Sequence, residues 1–294
     1  MVEQAIYGVP LVNGQPNARA RVLAHSPGWS SDAVTTLMED IPLSPVPADD
    51  EAGSQACALI NQPDGGALVS CAHYHQGNPQ QPIFHCAILA EPLQDAMASD
   101  LHSLFKLISL MPRLDGETLP ALDQPVPIRW TAEREVAAVR RVMDSMGGDI
   151  DRLLALLDAL LDERGLLVRH FPGNLEARLN MMQALLLLLP RSARGHISFS
   201  THAPDAAAQQ PRLIFSDTRQ AGERRIIDWQ AWQAEQPTIA SDYPLYLRSL
   251  WDGELSHLLK IVQVIDQPPL QSAAEPLQPS LARMVRRHHI DSAV

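Results

Sequence analysis

Cys71, His73 and His75 occupy alternate positions of one apolar run, and His85 and Cys86 lie together in a second run a short way downstream. Side chains alternate along a strand, so the first three share a face if Ala67–His75 is extended. Thiolate and neutral imidazole are good zinc ligands, and four of these five residues could in principle surround a tetrahedral ion. The spacing matches no familiar zinc pattern, ligands from two strands need a favourable register, and Cys71 is as readily a small core residue. No metal ligand is assigned on this basis. If the protein is a hydrolase or a metal-dependent enzyme, His73, His75 and His85 are the groups that would do the chemistry.

Ser198, Ser200, His202 and Asp205 supply the residue types of a nucleophilic triad within a few positions. A working triad is assembled from distant segments, and no G-x-S-x-G turn precedes either serine. A strand with serines on one face, followed by a polar turn, is the simpler reading. Gly65-Gly66 and Gly147-Gly148 belong to no phosphate-binding loop and read as a hairpin turn and a helix boundary. No catalytic residue and no cofactor-binding residue is assigned.

Basic residues cluster at Arg140-Arg141, Arg191–Arg194, Arg224-Arg225 and Arg283–His289. Such groups usually face solvent or meet the carbonyls at helix ends. The last cluster follows a stretch rich in proline, glutamine and alanine, and a basic segment on such a tether suits docking on an acidic partner. Trp229, Trp232 and Trp251, with Tyr243 and Tyr246, concentrate aromatic surface in a chain that has little elsewhere, for use in the core or at an interface.

The elements that position these residues follow from periodicity. Strands are expected near Ile6–Tyr7 and Ala20–Ala24, then a short helix over Ser31–Ile41 capped by Ser31 or Asp32, and a loop over Pro42–Gly53. Ala56–Asn61, Ala67–His75 and Ile83–Ala90 read as an antiparallel meander joined by turns at Pro63–Gly66 and Gly77–Pro79, with a helix over Leu93–Met111 packed on it. Further on, Thr131, Asp149 and Asn174 cap three helices that end at Gly147-Gly148, Gly165 and Pro190. His196–Thr201 and Arg212–Ser216 form a short strand pair, and Tyr243–Trp251 and Glu254–Ile265 are helices. The fold class expected is α+β. An N-terminal antiparallel meander with packed helices (1–112) is followed by a proline-rich linker (113–130), a mainly helical second domain (131–265), and a flexible linker with a basic tail (266–294).

Hydrophobic residues make up 46% and charged residues 19% of the 294, which suits a globular chain rather than a disordered one. The net charge of −11 argues against general nucleic-acid binding. The longest apolar run, Ala184–Leu189, is far short of the roughly 20 residues that cross a bilayer. No secretory leader is visible at the N-terminus, and three cysteines do not make a disulfide framework, so a cytoplasmic location is expected.

Two sets of segments resemble a bacterial family, the GTPase-associated proteins found with conflict and defence systems. Gln4–Gly8 (QAIYG), His25–Gly28 (HSPG) and Pro82–Leu89 (PIFHCAIL) are similar to that family's N-terminal domain. Ala184–Asp205, a leucine-rich helix followed by a proline, an arginine turn and SFSTHAPD, is similar to its middle domain, as is Tyr243–Ile265. The similarity covers most of residues 3–265. It implies a non-enzymatic adaptor or regulatory subunit that couples to an NTPase partner, with no cofactor and no catalytic residues to carry over. The resemblance is expected to stop short of the longer C-terminal region of some members, with only the proline-rich linker and basic tail following residue 265. A third option, after the adaptor and the enzyme, is a structural subunit of a larger complex docked by that tail.

Overall fold

The computed structural model describes residues 2–9, 11–12, 15–16, 20–39, 55–61, 66–75, 78–89, 100–108, 118–122, 131–203, 211–219, 221–266 and 276–291. The loop expected over 42–53, most of the expected linker 113–130, and Asp205 lie outside these residues.

The N-terminal half contributes β1 (Gln4–Gly8), β4 (Arg21–His25), β5 (Gln55–Asn61), β6 (Ala67–His75) and β7 (Asn78–Leu89), with a separate two-residue hairpin, β2 (Leu11–Val12) and β3 (Gln15–Pro16). β5, β6 and β7 form the antiparallel meander expected from their alternation, and β1 inserts between β7 and β4. Asn78 and Pro79, read as turn residues, already belong to β7, where Asn78 pairs with His75. On one face lies α1 (Ser31–Glu39), which buries Val34 and Met38 against Tyr7, Leu68 and Phe84. Its cap is Ser30, one residue before the expected position, whose hydroxyl accepts the Ala33 N–H.

The other face of the meander meets the second half of the chain directly. α2 (Leu101–Lys106) turns Leu101, Leu104 and Phe105 onto it, and the described part of the expected helix over 93–111 ends there. α3 (Ala132–Ser145), α4 (Ile150–Leu161) and α5 (Leu175–Leu187) begin at the caps read from the sequence, where Thr131, Asp149 and Asn174 accept N–H groups of the first turn. The second half of α5, Met181 to Leu187, is buried on every side, which is why its apolar residues are consecutive and not confined to one stripe. Its one buried amide, Gln183, accepts the Leu101 N–H at 2.7 Å and so satisfies the start of α2. Tyr243 donates to Leu188 O and Arg194 to Leu189 O at the far end of α5.

The expected strand pair is in fact part of a set of four parallel strands. β8 (Leu166–Arg169), β9 (Phe199–Ser200), β10 (Leu213–Phe215) and β11 (Arg225–Asp228) stand in the order β11-β8-β10-β9, and β9 pairs antiparallel with β5. One nine-stranded sheet, β11-β8-β10-β9-β5-β6-β7-β1-β4, therefore runs through both halves. The fold is mixed α/β: a parallel end and an antiparallel end share a sheet and a main core that contains Cys57, Val69, Phe105, Leu185 and Phe199. Phe105 and Phe199 meet edge to face at 5.8 Å across that junction. Residues 118–122, from the expected linker, pack on the opposite edge: Val2 and Leu122 exchange backbone hydrogen bonds, and Leu119 donates to His25 O.

The remaining described helices are α6 (Arg191–Arg194), α7 (Trp229–Ala234), α8 (Asp242–Ser249), α9 (Leu255–Ile265) and α10 (Leu277–Asp291). The segment read as a basic tail is thus a helix packed on the body, with Leu277, Leu281, Met284 and Val285 buried against α8 and α9. These apolar residues recur at helical spacing, and burial of that stripe outweighs the linker-like composition before it. No helix among the described residues is long and apolar enough to cross a membrane.

Candidate functional site

The antiparallel register sets the sulfur and imidazole groups in a row. Cys57 faces Cys71 across β5 and β6, Cys71 faces His85 across β6 and β7, and His73 shares their face two residues along β6. Cys57 Sγ lies 3.5 Å from Cys71 Sγ. His73 Nε2 is 3.1 Å from the Ile108 carbonyl, which only accepts, so Nε2 carries a proton and the other ring nitrogen remains for Cys71. Cys86 points to the opposite face and touches Met38 Sδ at 3.3 Å.

These contacts separate the three thiols electrostatically. The Cys57 thiol donates to Cys71 and, despite opposing desolvation and together with the His73 imidazole, lowers the Cys71 pKa to about 6. Desolvation works against the charged form of His73, yet its contact with Cys71 leaves its pKa raised overall. Cys57, the donor of the pair, is raised well above the ordinary thiol value by that hydrogen bond and by burial. Burial, with the nearby Cys71, raises Cys86 as well.

The tetrahedral set considered from sequence is not assembled. His85 is buried and bonded through Nε2 to Gln4 Oε1 at 2.7 Å, while the Gln4 amide donates to Pro120 O at 2.6 Å. That orientation of the amide makes His85 Nε2 the donor, with no lone pair there for a metal. Cys86 is on the wrong face, and the side chain of His75 lies outside the described residues. Among the described residues no group of three His, Cys, Asp or Glu side chains is placed to hold a metal ion. The partner that sequence reading missed is Cys57, whose meeting with Cys71 is a matter of strand register.

The serines of the SFST strand hold loops. Ser198 Oγ accepts the Arg212 N–H at 3.0 Å, and Ser200 Oγ donates to His202 O at 2.7 Å. Both hydroxyls thus bond to backbone groups, and Asp205 lies outside the described residues.

A second polar cluster, unforeseen from sequence, sits at the carboxyl ends of the parallel strands, where α/β sheets open their crevices. His170, just after β8, has φ 51°, an unusual conformation for a non-glycine residue. Its backbone N–H donates to Asp217 Oδ1 at 2.7 Å and its ring Nδ1 lies 2.9 Å from Asp228 Oδ2. Desolvation works against the Asp228 carboxylate, but the His170 ring and the N–H groups at the start of α7 hold it below its ordinary pKa. No hydrogen bond among the described residues joins the pair to a hydroxyl or thiol nucleophile.

The aromatic concentration divides among several roles. Trp229 is buried with Phe171 at 4.7 Å, Trp232 stacks beside Trp229 under Arg152, and Tyr243 is buried at the end of α5. Tyr246 Oη meets His288 Nδ1 at 2.5 Å and so fastens α10 to α8.

Two of the four basic clusters, those at Arg191–Arg194 and Arg224-Arg225, contribute internal contacts, as does Arg212. Arg212 donates to Leu160 O and Leu161 O at the end of α4, and Arg225 reaches the buried Asp158 at 3.2 Å. Buried Arg194 has its pKa lowered to about 10 by desolvation. Arg140 and Arg141 of α3 are exposed, and so are Arg283, Arg286 and Arg287 along the side of α10 opposite its buried stripe, where Arg283 also donates to Ser280 Oγ at 2.9 Å. Beside the start of that helix, Glu163, Asp242 and Gln278 line a cleft of about 390 Å³ between α4, α8 and α10. No protein-family model matches the chain, and no curated protein is detectably similar to it.

Proposed function

We propose that the protein is a non-enzymatic adaptor or regulatory subunit of a bacterial conflict or defence system, coupled to an NTPase partner through the outer side of α10. The observation that carries this reading is the stripe of Arg283, Arg286 and Arg287, at helical spacing on a chain of net charge −11. Buried Leu281, Met284 and Val285 hold the helix in place, so the arginines are presented without the ordering cost that a free tail would incur on binding. Such a stripe complements an acidic patch, and guanidinium groups grip carboxylates bidentately. Cys71 and His85 are enclosed in the core, out of reach of any substrate much larger than water, and the exposed His170–Asp228 pair is joined to no hydroxyl or thiol among the described residues, which favours a binding role.

Affinity purification of the tagged, full-length protein from its native host at moderate salt, with mass spectrometry of stoichiometric partners, tests the proposal. Recovery of an NTPase that is lost on Arg286→Glu/Arg287→Glu supports it. Recovery of the protein alone, or of the same partner with the variant, overturns it.

A further inference from the structure

We propose that Cys57 and Cys71 form a reversible cross-strand disulfide when the protein meets a hydroperoxide. The backbone of Cys57 directs both its polar groups to Thr201, just past β9: its N–H reaches Thr201 Oγ1 and its carbonyl accepts the Thr201 N–H, each at 2.8 Å. Toward β6 it is therefore a non-hydrogen-bonded pair with Cys71, the class in which facing Cα atoms come to about 4.5 Å and side chains lie closest. That separation falls inside the range of about 4.4 to 6.8 Å over which a disulfide closes. The sulfurs, 3.5 Å apart, need to approach by about 1.5 Å to reach bonding distance, a change within reach of side-chain rotation alone.

The row also supplies the acid and base. His73 takes the Cys71 proton, and the resulting thiolate attacks one peroxide oxygen, breaking the O–O bond. Cys71 becomes a sulfenic acid, and the imidazolium proton leaves with the departing oxygen as water or an alcohol. Cys57 then loses its proton as its sulfur attacks the Cys71 sulfur, and that proton leaves with the sulfenic oxygen as water. Two thiols are oxidised by two electrons in total and one hydroperoxide is reduced. Both cysteines are buried, so an oxidant close to water in size is the kind that can reach them, and a bulky disulfide is not. Cys86, on the far face of the sheet against Met38, is equally buried but lies in a separate core, and so is an internal comparison.

The bond would lock β5 to β6 at the register where β5 also holds β9. Oxidation of that pair is separate from any contact made by α10, so the two proposals stand or fall independently.

Graded hydrogen peroxide applied to the folded full-length protein, followed by alkylation under denaturing conditions and peptide mass mapping, tests this. The expected product links the Cys57 and Cys71 peptides with loss of two hydrogens, leaves Cys86 alkylated, and reverts with a dithiol reductant. His73→Gln is expected to slow its formation about tenfold with the same product. Absence of the linked peptide, oxidation of Cys86 as fast as Cys71, or arrest of Cys71 as a sulfinic acid while Cys57 stays alkylatable overturns the proposal. The mapping of the unsubstituted protein decides the matter even if a His73 variant does not fold.

Discussion

Thr201 and Cys57 exchange two hydrogen bonds of 2.8 Å each, at the point where the antiparallel and parallel parts of the sheet meet. The Thr201 hydroxyl supplies the acceptor for a buried N–H, so Thr201→Val should cost about 1 to 2 kcal/mol in urea unfolding. Because both parts share a sheet and a core, far-ultraviolet dichroism and tryptophan fluorescence should trace one coincident transition. Two separated transitions would show that the halves unfold independently.

Asp158, buried in the middle of α4, accepts from Arg225 at 3.2 Å and from the Ser241 N–H at 2.7 Å. Asp158→Ala leaves an arginine and a backbone donor without their carboxylate, and a loss of about 3 kcal/mol is expected. Arg225→Ala should cost clearly less, because Asp158 keeps its backbone donors. Equal losses in thermal or urea unfolding would contradict that ordering.

Cys71 should titrate near pH 6 in the folded protein, against about 8.5 for an ordinary thiol. Its folded pKa is depressed, so the stability it contributes is present above the ordinary thiol value and is lost as pH falls through about 6. His73 is shifted the other way: its contribution is full below about 6.5, the unperturbed value, and is lost as pH rises through its raised pKa. Thiolate absorbance with Cys71→Ala as the blank measures this directly, and an inflection only in the ordinary thiol range would contradict the Cys57–Cys71–His73 arrangement.

How much of this was legible in the sequence depended on how local the signal was. Thr131, Asp149 and Asn174 sit next to the N–H groups they accept, so the starts of three helices were readable. β8, Leu-Leu-Val-Arg, was missed because a strand buried between parallel neighbours has no alternation to detect. Gly165 before it read as a helix stop. It also admits β8 to the sheet with φ +77°, where a Cβ would come within 3.0 Å of Arg212 O. The Cys71 and His73 face was readable from period two alone. Cys57, and the meeting of His170 with Asp217 and Asp228, depend on register and crossovers that no local pattern encodes.

α10 is held by its buried stripe, so Leu281→Ala should destabilise the protein by about 3 kcal/mol. Arg286→Glu/Arg287→Glu lies on the exposed side and should change stability by less than about 0.5 kcal/mol per substitution. Thermal unfolding of the two variants side by side checks this, and an undisturbed Leu281→Ala would mean that the helix is not part of the core.

We propose that the outer side of α10 binds an acidic partner surface. Titration calorimetry of the co-purified NTPase against the full-length protein and against Arg286→Glu/Arg287→Glu tests it most directly. The variant should bind at least about tenfold more weakly, and the affinity of the unsubstituted protein should fall as salt is raised. Equal affinity for both, with no dependence on salt, would contradict the claim.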